Sequence, residues 1–513
     1  MSRSFVAVCI VVSAVVAGCS SPLSSGLELT TTEGRVRGST TDGVRAFMGL
    51  PYAAPPIGDL RFRSPTPPAA HPDVRDATTH GPSCIQNSAL GTTIDTNTSE
   101  DCLTLNIWTP DRVDTALPVM VFLHGGGFVL GTGSDSTYDG SVLASTQNVV
   151  VVTLNYRLGS LGFLRHPAFV SEDSAAGNYA IADQRRALEW VRDNIRNFGG
   201  DAKNVTLFGE SAGAISTCLH LVSPPSRGLF HRAIMESGPC TLLPQNPAAA
   251  AETQGRALAD AVGCTGSDDA IKTCLRQKPA GDLFNGLPLR PGIILGTGVQ
   301  WFPTQDGILV PDQPRALFAA GQSAPVPLIV GSNGDEGTLF LALSSGQVDT
   351  EAQARTALAG FFTPAQVDRV AVQYPLGPSP KQALTQGLSD LFTCDARRVA
   401  RLHTKVAPTF LYNFTRAFSF IYPNLGAFHS AELPFVFGNP YEFISLVPEE
   451  LPLSKAMQSY WTHHAKAGDP NSPATAVAWP RYDEAADQDL GLDLTITPGT
   501  HLRQSACDFW DSL

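Results

Sequence analysis

The chain has 513 residues, 43% of them hydrophobic and 16% charged, with a formal net charge of −12. That balance supplies ample apolar surface for one large core and excludes an intrinsically disordered chain. The acidic surplus offers no basic face for nucleic acid, and no internal run of about eighteen apolar residues reads as a membrane span.

At the N-terminus, Arg3 precedes an apolar run from Val6 to Ala17, and Val16-Ala17-Gly18-Cys19 leads into polar Ser20, Ser21 and Pro22. A basic start, an apolar middle and small residues before a cut make residues 1–18 a secretory signal. A cut just before cysteine resembles the lipobox of bacterial lipoproteins. That resemblance implies diacylation of Cys19, a tether over residues 19–26, and an exported cell-envelope protein whose only membrane contact is this anchor. Ordinary signal-peptidase cleavage giving a soluble secreted chain is the alternative.

The body opens with turn-rich β segments, including Leu27 to Thr31 and Gly34 to Ser39. Leu117 to Leu123 (LPVMVFL) and Asn148 to Leu154 (NVVVVTL) are apolar without alternation, as central parallel strands covered on both faces are. His124-Gly125-Gly126-Gly127-Phe128 follows the first of them at once. Ala180 to Phe198 spaces Ile181, Leu188, Val191, Ile195 and Phe198 as one helical face. A short strand over Asn204 to Phe208 then runs into Gly209-Glu210-Ser211-Ala212-Gly213 and a helix-prone segment, Ala214 to Leu221. A strand follows at Arg232 to Glu236. The Gly-, Pro- and Leu-rich stretch Gly281 to Gly298 has the composition of a lid or pocket wall. Pro327 to Gly331 is a strand ending in the polar loop Ser332 to Gly337. Thr409 to Arg416 is another, and the loop GAFHSAELPFVFG with His429 comes after it. Strands and helices alternate as in an α/β fold with a mostly parallel sheet, and residues 27–513 show no boundary between separate domains.

A serine between two glycines at a sharp strand-to-helix turn is the geometry of a nucleophile elbow, so Ser211 is the candidate nucleophile. Its hydroxyl needs a base, and the base needs a third group to fix its tautomer. The HGGG stretch lies where backbone N–H groups stabilise a tetrahedral oxyanion, and Ala212 would add a third donor. In this fold class the order is serine, acid, histidine. His403 falls in an arginine-rich helical segment and His463 and His464 in the helix-like Ser454 to Lys466, where surface positions are expected, whereas His429 stands in a loop after a strand. The acid is Asp335 or Glu336, between which composition does not choose. No C-x-x-C or H-E-x-x-H spacing points to a metal, and the chemistry calls for no cofactor.

Setting aside Cys9 in the leader and Cys19 at the cut leaves eight cysteines, an even number in an exported chain, so disulfides are expected. Cys84 with Cys102, Cys264 with Cys274, and Cys394 with Cys507 are the pairs, each worth about 3–5 kcal/mol in the chain-entropy model. Cys218 is expected to be a buried free thiol on the helix after the elbow, leaving Cys240 unassigned.

Several long motifs in order make the chain resemble the type-B carboxylesterases and lipases, the family that includes the cholinesterases. They are GLPYAAPPIGDLRFRSP, EDCLTLNIW, FGGDAKNVTLFGESAG, GSNGDEG, GAFHSAELPFVFG and YWTHHAKAGDPN. The resemblance implies an α/β-hydrolase fold and a serine carboxylesterase acting on small-molecule esters through an acyl-enzyme. It implies nucleophile Ser211, base His429 and acid Glu336, oxyanion donors Gly126, Gly127 and Ala212, and auxiliary polar groups Glu210 and Ser237. It also supports the three cysteine pairs. Pocket candidates are Phe128, Val299, Trp301, Leu339 and Phe340. Leu339 stands where the cholinesterase branch carries an aromatic ring, and the loop between Cys84 and Cys102 has none, so a quaternary ammonium loses its π partners. A lipase for longer-chain glycerides and a non-catalytic binding module are the alternatives; the intact triad and glycine loop argue against the second.

Overall fold

The computed structural model describes residues 25–88, 96–173, 175–289, 298–344, 346, 348–417, 425–441, 445–473, 475 and 477–513. The leader, Cys19 and most of the tether lie outside them, as does much of the Gly281 to Gly298 stretch. The described part of that stretch begins inside a short helix, Ala280–Phe284.

An 11-stranded sheet organises the chain. Its strands in chain order are β1 (Ser39–Thr41), β2 (Val44–Pro51), β3 (Thr104–Pro110), β4 (Leu117–Leu123), β5 (Val150–Leu154), β6 (Gly200–Glu210), β7 (Arg232–Glu236), β8 (Leu328–Asn333), β9 (Thr409–Phe414), β10 (Gln488–Leu492) and β11 (Thr497–Thr500). Across the sheet they lie β11-β10-β9-β8-β7-β6-β4-β5-β3-β2-β1. From β10 to β5 every neighbouring pair is parallel, and the outer pairs are antiparallel. This is the α/β-hydrolase architecture.

Strand periodicity explains why the apolar runs belong in the centre. Successive side chains point to opposite faces. Val119, Val121, Leu123, Val150, Val152, Leu154 and Leu207 join one core cluster. Their sequence neighbours Met120, Phe122, Val151 and Phe208 join another, with Ile234 and Ile329. The helix read over Ala180 to Phe198 is α1 (Tyr179–Asn194), continued by a 3₁₀ turn to Phe198 and stopped by Gly199 at φ 93°. Helix α2 (Ala212–Val222) follows β6 directly. Three further helices, α3 (Gly337–Leu343), α4 (Pro380–His403) and, near the C-terminus, Gln504–Asp511, share a third cluster holding Phe340, Phe392 and Trp510.

Among the described residues, four disulfides are present. Cys84–Cys102, Cys264–Cys274 and Cys394–Cys507 are the expected pairs. The fourth, Cys218–Cys240, corrects the expectation of a free thiol. The loop after β7 folds back against α2: a Cβ on Gly238 would stand 2.4 Å from the Cβ of Ala214. That approach brings the two Cα atoms to 6.5 Å. Four bridges fit an exported protein.

Two histidines expected at the surface are instead buried. His403 uses both ring nitrogens inside the protein, against Ser323 Oγ (2.9 Å) and the Val326 carbonyl (2.9 Å). His464 reaches the Ala233 carbonyl, and burial pushes its pKa down to about 3. The helices that carry them are covered on more faces than the charges beside them suggest.

Candidate active site

The serine side is built by backbone sterics. Ser211 sits between β6 and α2 at φ 56°, ψ −120°, a conformation L residues rarely adopt. Its N–H donates to the Glu236 carbonyl (2.9 Å) and its carbonyl accepts from Ile215 (2.9 Å). Both flanking glycines are required by space. A Cβ on Gly213 would stand 1.9 Å from the Leu123 carbonyl oxygen, and one on Gly209 would stand 2.6 Å from the Gly213 backbone.

The glycine loop leaves β4 alongside. Gly126 (φ 104°) and Gly127 (φ 58°) take left-handed conformations, and a Cβ on Gly125 would meet the Glu210 carboxylate at 2.6 Å. His124 braces the loop's base. Its ring stacks on Tyr156 at 4.2 Å, and Nδ1 donates to the Gly125 carbonyl (2.8 Å). The Tyr156 hydroxyl donates to the His124 carbonyl (2.6 Å). Burial pushes the His124 pKa down to about 4, so the imidazole is neutral. Among the described residues, nothing accepts from the N–H of Gly126, Gly127 or Ala212.

The acid and the histidine come from loops at the ends of β8 and β9. His429 Nδ1 stands 2.5 Å from Glu336 Oε2, and the Asn333 N–H donates to Glu336 Oε1 (2.7 Å). Glu336 is fully buried, whereas its neighbour Asp335 is exposed and accepts from the Ala427 N–H (2.9 Å). The choice that composition left open is therefore geometric. Phe340 (4.6 Å) and Phe392 (5.2 Å) pack against the imidazole.

Among the described residues, the other ring nitrogen of His429 makes no hydrogen bond, to Ser211 or to any other group. It stands 3.1 Å from Glu210 Oε1, close enough for ion pairing but without hydrogen-bond geometry. That oxygen accepts from Ser430 Oγ (2.6 Å). Burial pushes the His429 pKa down, but the Glu210 and Glu336 carboxylates outweigh it and the net shift is upward. Burial raises Glu210 to about 7, against the pull of His429 and Ser430. Two further carboxyls lie deeper: Glu236 accepts from Trp461 Nε1, and Glu432 from Asn333 Nδ2.

A cavity of about 550 Å³ collects these parts, with Ser211, His429, Glu210, Gly126 and Gly127 on its wall. Leu339 and Phe340 line it as expected. Phe128, Val299 and Trp301 do not. The Phe128 ring turns into the core against Phe163 (5.1 Å) and Phe302 (5.3 Å), and Val299 and Trp301 belong to the same apolar cluster. The Ser237 hydroxyl is buried and, among the described residues, without a hydrogen-bond partner, and Ser237 is not on the wall. Tyr138, Tyr441 and Asp135 line the cavity, and Phe392 touches the imidazole, without having been singled out from sequence. Phe428 and Ser430, on either side of His429, also line the cavity, and proximity in sequence is the signal that could have found them.

The family model described as "Carboxylesterase family" matches residues 25–510. The chain is 37% identical over 486 residues to the para-nitrobenzyl esterase of Bacillus subtilis (strain 168), covering 91% of this chain and 95% of that protein. It is 36% identical to the cocaine esterase of Homo sapiens, over 94% of this chain and 90% of that one. Among solved structures, a PNB esterase superposes with a TM-score of 0.84 at 36% identity, covering 94% of this chain and 99% of the other.

Proposed function

Since the chain belongs to the carboxylesterase family and is a carboxylic ester hydrolase, we propose that Ser211, His429 and Glu336 carry the reaction. The observation that carries this reading is the 2.5 Å contact between Glu336 and His429 Nδ1, with Nε2 outside any hydrogen bond among the described residues and at the cavity that Ser211 also lines. Ser211 Oγ attacks the ester carbonyl while His429 Nε2 takes its proton. Glu336 holds the ring and stabilises the imidazolium. The oxyanion receives the N–H groups of Gly126, Gly127 and Ala212, each worth about 3–4 kcal/mol in comparable sites. The alcohol leaves with the proton from His429, and water repeats both steps to release the acid. The Ser211–His429 hydrogen bond forms when substrate enters, as catalytic bonds commonly tighten only in the complex.

Residues 27–513 form one catalytic domain on this reading. Export follows from the leader over 1–18, with Cys19 acylated at the envelope; Cys19→Ser should release the enzyme from the membrane fraction. Ser211→Ala should lower turnover of p-nitrophenyl butyrate by about 10⁶-fold and abolish labelling by a fluorophosphonate. Retained turnover or labelling in folded protein overturns the assignment.

A further inference from the structure

The loop carrying Glu336 is gripped from the side opposite His429, and we propose that Arg503 is a positioning residue for the Glu336–His429 pair. The inference rests on Glu336 being the group that orients His429.

Arg503 immediately precedes the last helix, α5 (Gln504–Asp511), and holds the left-handed conformation φ 49°, ψ 38°. A non-glycine residue there has to be held by its surroundings. Its guanidinium forks: one arm donates to Asp390 Oδ1 on α4 (2.8 Å), the other to the buried carbonyl of Gly334 (2.5 Å). Gly334 lies two residues before Glu336. At the far end of the same turn, the Gly337 N–H donates to Ser389 Oγ (3.0 Å). Adjacent residues of α4 thus hold both ends of Gly334 to Gly337, Ser389 directly and Asp390 through Arg503.

The anchor is itself fixed. Asp390 Oδ2 accepts from the Tyr374 hydroxyl (2.9 Å), which accepts from Trp510 Nε1 (2.9 Å) on α5. Cys394–Cys507 ties α5 to α4. On its inner side the loop meets the histidine loop through Asp335 N–H to the Ala427 carbonyl (2.9 Å). The acid loop is therefore clamped between two layers. Without Arg503, a buried carbonyl next to the acid loses a charged donor, and the loop has an incentive to shift.

Arg503 donates to neither Glu336 nor His429, so its effect reaches the imidazole only through backbone position. The charged groups facing His429 are Glu210 from the end of β6 and Glu336 from this loop; Phe340 on α3 and Phe392 on α4 bring rings without charge. Glu336 raises the His429 pKa by its charge and its hydrogen bond. A loosened Glu336 raises it less, and since the neutral imidazole is the active base, the acid limb of the rate profile moves to lower pH.

The test uses the full chain with p-nitrophenyl butyrate across pH. Arg503→Met should lower kcat about tenfold with KM within about twofold, and shift the acid limb of kcat downward. Arg503→Lys should recover part of both effects. If Arg503→Met does not fold, Asp390→Asn decides, with the same direction of shift expected and a smaller loss. An unmoved limb with kcat within about twofold of wild type overturns the proposal, even if the melting temperature falls. Glu336→Gln separates the two readings: wild-type kcat in that variant sinks the triad itself, whatever Arg503 does.

Discussion

The serine side and the histidine side of the cavity are built by different means. Around Ser211 the geometry comes from sterics within one short stretch and the neighbouring strand end: Gly209 and Gly213 leave no room for side chains, and Leu123 supplies the wall. Around His429 nothing local suffices. Its ring is placed by Glu336, Glu210, Phe340 and Phe392, from three separate segments. A self-contained turn tolerates no substitution but needs no distant support. An assembled site tolerates single losses in proportion to what each group contributes.

The largest test of that contrast is Glu336→Gln. Glutamine keeps the shape and loses the charge that stabilises the imidazolium, so kcat should fall about 10⁴-fold with little change in KM. Steady-state kinetics on p-nitrophenyl butyrate would show it, and a loss below tenfold would mean that the histidine side does not depend on its acid. Next is Gly213→Ala on the serine side. A Cβ 1.9 Å from a backbone oxygen forces the elbow to move. A stability loss of about 3 kcal/mol and about a hundredfold loss of kcat are expected, read by thermal melting and kinetics. Near-normal activity would show that the elbow is less constrained than its contacts imply.

The disulfide Cys218–Cys240 sharpens the comparison differently, because it ties the elbow's helix to the loop after β7. Replacing both cysteines with serine should cost about 3 kcal/mol in the chain-entropy model. Turnover should stay within a few-fold, since the glycine sterics hold Ser211 without the bridge. A collapse of kcat in folded protein would show that the elbow leans on this tie.

The same contrast decides what could be read from the chain. The two-faced apolar strands, the sharp turn at Ser211 and the glycine loop are local patterns, and each lies where its residues placed it. The pairing of Cys218 depends on how the loop at Gly238 folds back on α2, which no local pattern encodes. Asp335 and Glu336 are adjacent and chemically alike, and only the bend of the loop turns one to solvent and the other to His429. The inward turn of Phe128 has a like origin: a left-handed backbone (φ 64°) sends a ring that follows Gly126 and Gly127 into the core. His403 and His464 are buried because their helices are covered on several sides, which their neighbours in sequence do not encode.

The smallest effect concerns Glu210, the residue that links the two sides, being next to Ser211 in the chain and 3.1 Å from His429 Nε2 in space. Its charge helps to raise the His429 pKa, and burial lifts its own to about 7. As the pH falls through about 7, Glu210 takes up a proton and its hold on the imidazolium weakens. Each group's charge acts on the other, so the acid limb of kcat/KM responds to both. Glu210→Gln removes the charge and the second titration at once. With less to stabilise imidazolium, neutral His429 persists to lower pH, so the limb should shift downward and steepen to that of a single group. Rates above the limb should change least, because Glu336 still holds the ring. A limb that stays in place, measured on a neutral ester at fixed ionic strength, would mean that Glu336 alone sets the base, and that the two sides meet in space without being coupled in charge.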